Sequence, residues 1–169
     1  AGGLAGFLEA CLAQAADAAG EAFAIDLLER GADPYAASPA GDPPVALAVR
    51  LHWPRLLQRL IAHGVDLDAR DSHGMSALHL AAALGRLDEL KQLIAAGAAP
   101  DRRAADGQTP LGVALAAGRR DLAAWLDWRG WRLPRRPLQP ADLPAAAIVG
   151  DLDAVRRLLA AYRDMFEAE

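Results

Sequence analysis

Beyond its scattered carboxylates, few side chains in this chain could hold a metal or move a proton: His52, His63, His73, His79 and a single cysteine, Cys11. The histidines stand 11, 10 and 6 residues apart. A zinc site needs ligands one helical turn or one hairpin apart, backed by thiolates or carboxylates. These spacings provide no such pair, and Cys11 lies far upstream. Nucleophilic chemistry has no support either. There is no Gly-x-Ser-x-Gly, no phosphate loop ending in Lys-Ser/Thr and no His-Glu-x-x-His. The opening AGGLAG does not follow a strand, so it is not a phosphate cradle. No catalytic residue, metal ligand or cofactor is expected. Recognition is the remaining chemistry. Residues 119–144, RRDLAAWLDWRGWRLPRRPLQPADLP, gather Trp128 and Trp131 with Arg129, Arg132, Arg135 and Arg136. Trp and Arg dominate binding hot spots, so these six form one candidate contact patch. The competing reading is a repacked junction whose Trp rings fill space.

Composition narrows the partners. The 169 residues carry a net charge of −4, so no global positive field points at nucleic acid. A lone cysteine excludes an internal disulfide and suits a reducing compartment, so a cytoplasmic location is expected, with a secreted effector as the alternative. The first 20 residues are apolar but lack a basic start and carry Glu9 and Asp17, which speaks against a signal peptide or a membrane span. The chain opens on Ala1, as a processed or excised piece would. Abundant Ala and Leu with few aromatics favour short, closely packed helices.

What must position any site is a repeating unit. Gly31, Gly64, Gly97 and Gly130 fall 33 residues apart, each after a Leu-rich stretch. Gly41, Gly74 and Gly107 share that spacing, and Gly85, Gly118 and Gly150 follow at 33 and 32. A fixed period of this size is the signature of a solenoid. In the unit 71–103, Ser76 is a helix cap before ALHLAAAL, with Leu78, Ala81 and Ala82 on one face. Gly85 breaks that helix. A second helix follows, with Leu87, Leu90, Leu93 and Ile94 on one face and Gly97 at its left-handed end. The chain then turns back through AAPDRRAADG to Thr109-Pro110, the next cap. One such unit cannot bury its own apolar face, so units must stack. Asp127 breaks the pattern: it stands where the other units have Leu28, Ile61, Ile94 and Leu159, so it must be paired there or turned out to water.

DSHGMSALHLAAALGRLDELKQLIAAGAAPD closely resembles the ankyrin repeat, including its D-x-x-G-x-T-P-L-H-x-A-A-x-x-G pattern, and the Ala-rich character resembles bacterial members. The resemblance implies an all-α solenoid of about five helix-turn-helix repeats joined by hairpin loops, a single domain over 1–169. Repeats are expected at about 5–37, 38–70, 71–103, 104–136 and 137–169, the first and last most divergent. It also implies that His79 ties adjacent hairpins together, and that the chain is a monomeric protein-binding scaffold without catalysis. The family's usual concave surface, carried onto this chain, names Asp42, Arg50, Leu51, Arg70, Ser72, His73, Met75, Leu84, Arg103, Asp106 and Gln108. The alternative function is a regulatory or capping segment of a larger enzyme or secreted effector, folded against a neighbouring domain.

Overall fold

Short helices separated by glycine and proline follow directly from the repeating sequence. The computed structural model describes residues 3–14, 18–128 and 139–167. Ten helices lie in these segments: α1 (Gly3–Ala13), α2 (Ala18–Glu29), α3 (Pro44–Leu51), α4 (Pro54–Ala62), α5 (Ala77–Leu84), α6 (Leu87–Ala95), α7 (Pro110–Ala116), α8 (Arg120–Trp125), α9 (Leu143–Ile148) and α10 (Leu152–Glu167). A 3-10 turn, Pro140–Asp142, precedes α9. No strand occurs among the described residues. Consecutive helices pair within each unit. The first helices α1, α3, α5 and α7 pack in order, and the second helices α2, α4, α6 and α8 do the same. The fold is therefore the expected all-α repeat solenoid.

The period sets the packing. Ala48, Ala81, Ala114 and Ala146 are fully buried at spacings of 33, 33 and 32. A methyl group at this position lets neighbouring helix backbones approach closely. Leu60, Leu93 and Leu126 form a fully buried column of the second helices. Each second helix must end where the chain turns back. At Gly97 the backbone is left-handed, φ 100°. The Ala98 amide then bonds the Leu93 carbonyl at 2.9 Å, a Schellman closure that satisfies an end carbonyl of α6. The loops repeat as well: the amides of Ser38, Asp71 and Ala104 bond the carbonyls of Asp42, Met75 and Gln108, each at 2.8 Å.

The core is divided. One continuous cluster runs from Leu4 to Leu126. A second, smaller one gathers Trp128, Ala146, Ala154 and Leu158, and Val149 borders both. Asp127 sits at the division and is exposed. Two facts explain it. The slot varies: Leu28 is buried, but Ile61 and Ile94 are only half-buried and Leu159 is half-exposed, so it is not strictly core. The helix also widens to a π turn over residues 126–128, which shifts the register and points Leu126 and Trp128 inward. Of the two options for Asp127, the structure adopts exposure.

Leu93→Ala should cost about 2–5 kcal/mol in denaturant unfolding, because it empties a fully buried site; an unmoved midpoint would refute this packing register. Trp128→Ala should loosen α9 and α10 by about 3–5 kcal/mol while leaving α3 to α6 protected, read by amide exchange. Equal loss of protection in both regions would show one undivided core.

Candidate functional site

The first helices and the loop tips bound a groove on one side of the stack. Its volume is about 290 Å3, and Leu12, Arg50, Met75, Leu80, Ala83 and Leu84 line it. Three units contribute: Leu12 from α1, Arg50 from α3, and Leu80, Ala83 and Leu84 from α5. Arg50, Met75 and Leu84 are among the expected contact residues. Leu84 is 40% exposed and Met75 is half-buried. Leu12, Leu80 and Ala83 escaped the sequence reading. The signal was present in α5, where His79 is the only polar residue, so apolar side chains also point away from the core side.

The other expected contacts are spent on the fold. Asp42 is 5% exposed, and its Oδ1 accepts from the Ser72 amide at 2.9 Å and the Ser72 hydroxyl at 2.8 Å. Burial works to raise its pKa. The two Ser72 bonds and the charges of Arg50 and His73 outweigh it, so the carboxyl sits below its ordinary value. Asp42 is therefore a loop brace and not a free contact, which corrects the expectation. Asp71, also buried, accepts from the amides of His73 and Met75 and from Arg50 Nη2 at 3.1 Å. Arg70 donates to the Arg103 carbonyl at 2.9 Å, and Arg103 to the Gly107 carbonyl at 2.8 Å. Asp106 accepts from the Gln108 amide. Leu51 packs half-buried against the core. Ser72, His73, Arg70, Arg103, Asp106 and Gln108 remain exposed as residues, yet Ser72, Arg70, Arg103 and Gln108 tie one unit to the next, and His73 and Asp106 brace their own loops. The physical reason is general: a loop tip carries many backbone donors and acceptors, and nearby polar side chains satisfy them first.

His79 holds two units together. Its Nε2 donates to the Gln108 carbonyl of the next loop at 2.8 Å. A carbonyl only accepts, so in the neutral ring Nδ1 is the acceptor, facing the Ser76 hydroxyl at 2.7 Å and the Ser76 amide at 3.4 Å. Burial first of all holds the pKa of His79 below the ordinary histidine value, against the opposing pull of the Gln108 carbonyl.

The second expected patch divides. Trp128 is 3% exposed, and its Nε1 donates to Asp151 Oδ2 at 3.0 Å. Asp151 also caps α10 through the Ala154 amide. Trp128 is thus a junction residue and not a surface contact, because its ring fills the space between α9, α10 and the end of α8. Trp125 is buried too, with Lys91 Nζ 4.4 Å above its ring. Arg129, Trp131, Arg132, Arg135 and Arg136 lie outside the described residues.

A family model for ankyrin repeats (3 copies) matches residues 12–104 and 47–127. The chain belongs to the ankyrin repeat family. The match ends at the division of the core, and residues 128–169 lie beyond it. No curated protein matches the chain. Ankyrin repeats are generally protein–protein interaction modules, typically without catalysis. No helix among the described residues is long and apolar enough to cross a membrane.

An unfolded chain takes up a proton on His79 near the ordinary value, about 6.5, and the folded chain only at lower pH. The stability due to neutral His79 is thus complete above that value. It is lost as pH falls through it toward the folded pKa. Thermal melts between pH 7.5 and 5.5 should show it, and His79→Gln should flatten the slope. Parallel slopes for both proteins would exclude His79 as the source.

Proposed function

We propose that this ankyrin chain is a protein-binding module without chemistry of its own, acting as a monomer, and that its groove receives an apolar side chain of a partner protein. The groove itself carries the reading. It is open and apolar, and it forms only when three units stack. Its volume of about 290 Å3 lies at or below the ~300–1,000 Å3 of ordinary small-molecule pockets, which suits a side chain better than a cofactor. The buried, unpaired Cys11 supports a reducing compartment such as the cytoplasm.

A second reading rests on the last unit, where Ile148, Leu152 and Leu159 are 83%, 65% and 52% exposed. A neighbouring domain of a larger protein would cover them, as a regulatory or capping segment requires.

One capture experiment separates the two. Leu84→Asp should leave stability within about 0.5 kcal/mol, as surface changes do, and weaken partner capture about 10-fold or more. Capture that survives Leu84→Asp but fails with Leu152→Ser and Leu159→Ser together would overturn the groove and favour the covered last unit.

A further inference from the structure

Two departures from the repeat meet in space. The turn between first and second helix places Gly85, Gly118 and Gly150 at one equivalent position, with φ of 75°, 72° and 73°. The second unit has His52 there instead, at φ 58°, the only non-glycine residue with positive φ among the described residues. A left-handed backbone strains a residue with a Cβ, so something must hold His52 in place. The second departure is Glu89 of α6. Its equivalents Leu56, Leu122 and Ala154 are all buried and apolar, and Glu89 is itself fully buried. A buried carboxylate without a donor is costly. The His52 ring reaches it: Nδ1 lies 2.5 Å from Glu89 Oε1. The second oxygen, Oε2, is buried with no hydrogen-bond partner. Arg86, one turn earlier, does not relieve it, since its own Nε is also buried without one. The carboxylate thus depends on the imidazole, and the imidazole's position depends on the strained backbone.

We propose that His52 and Glu89 form a latch: two locally unfavourable residues, each tolerated only because of the other, that join the second unit to the third. The latch fixes the C-terminal end of α3, which also carries Arg50 to the wall of the groove. Its energetic signature is a change of sign. With Glu89 present, His52→Gly strips the carboxylate of its side-chain donor and leaves Oε2 still buried and unsatisfied. With Glu89→Leu in place, there is no carboxylate to satisfy, and glycine suits the left-handed backbone better than histidine.

Urea unfolding of four proteins tests this: the native chain, His52→Gly, Glu89→Leu, and both together. His52→Gly alone should lower the folding equilibrium constant about 10-fold or more, as taking the donor from a buried acceptor does. In the Glu89→Leu background the same change should raise it by about 3-fold or more, from relief of left-handed strain. If His52→Gly alone fails to fold, recovery of a cooperative transition in the double variant supports the latch equally. A His52→Gly effect of equal sign and size in both backgrounds, or a double variant as damaged as the single one, overturns the latch.

Discussion

The array depends on how closely successive first helices can approach. Ala48, Ala81 and Ala114 recur in α3, α5 and α7 and are fully buried. Each unit is only two short helices, too little to enclose an apolar face, so burial comes almost wholly from neighbours. A bulkier side chain in this column would push the helices apart and open the leucine column of α4, α6 and α8 with it. The small residue is thus what allows the large ones to be buried.

The polar wiring follows from that spacing. Because units stack at a fixed distance, a donor in one loop meets an acceptor about one period away. His79 reaches the Gln108 carbonyl, Ser72 reaches Asp42, Arg70 reaches the Arg103 carbonyl, and Asp68 accepts from the Ala99 amide at 3.1 Å. Even helix capping crosses the boundary: Glu21 of α2 accepts from the amides of Arg55 and Leu56 at the start of α4. A carboxylate at a helix N-terminus satisfies orphan donors and meets the positive end of the helix dipole. These bonds consume most of the polar side chains at the loop tips.

The stack weakens where its rules lapse. At the end of α8 the wider turn brings Trp128 inward, and a second small core begins with Asp151 receiving the indole N–H. The face of α7 also changes. Ala82 of α5 is fully buried, whereas the equivalent Leu115 is 61% exposed. Val49 of α3, at the same position, is fully buried as well, so it is the surroundings of α7 next to the altered junction that differ.

The sequence by itself determined the architecture. The glycine period, the caps at Ser76 and Thr109-Pro110, and the leucines at helical spacing locate α5 to α7 and the left-handed turn at Gly97, because these are local rules acting over a few residues. His79 was legible through the family pattern. The groove was legible in part, through Arg50, Met75 and Leu84. Tertiary structure alone decided the rest. Asp42 looked like a free loop carboxylate, and only the approach of the next loop buries it under Ser72. Trp128 read either as a junction residue or as a contact, and the inward turn of the chain at residues 126–128 places it in the junction. His52 and Glu89 stand 37 positions apart, and each alone reads as a surface residue. Local sequence fixes how each unit folds. Which polar groups lose their water depends on the unit stacked beside it, and that distance cannot be measured along the chain.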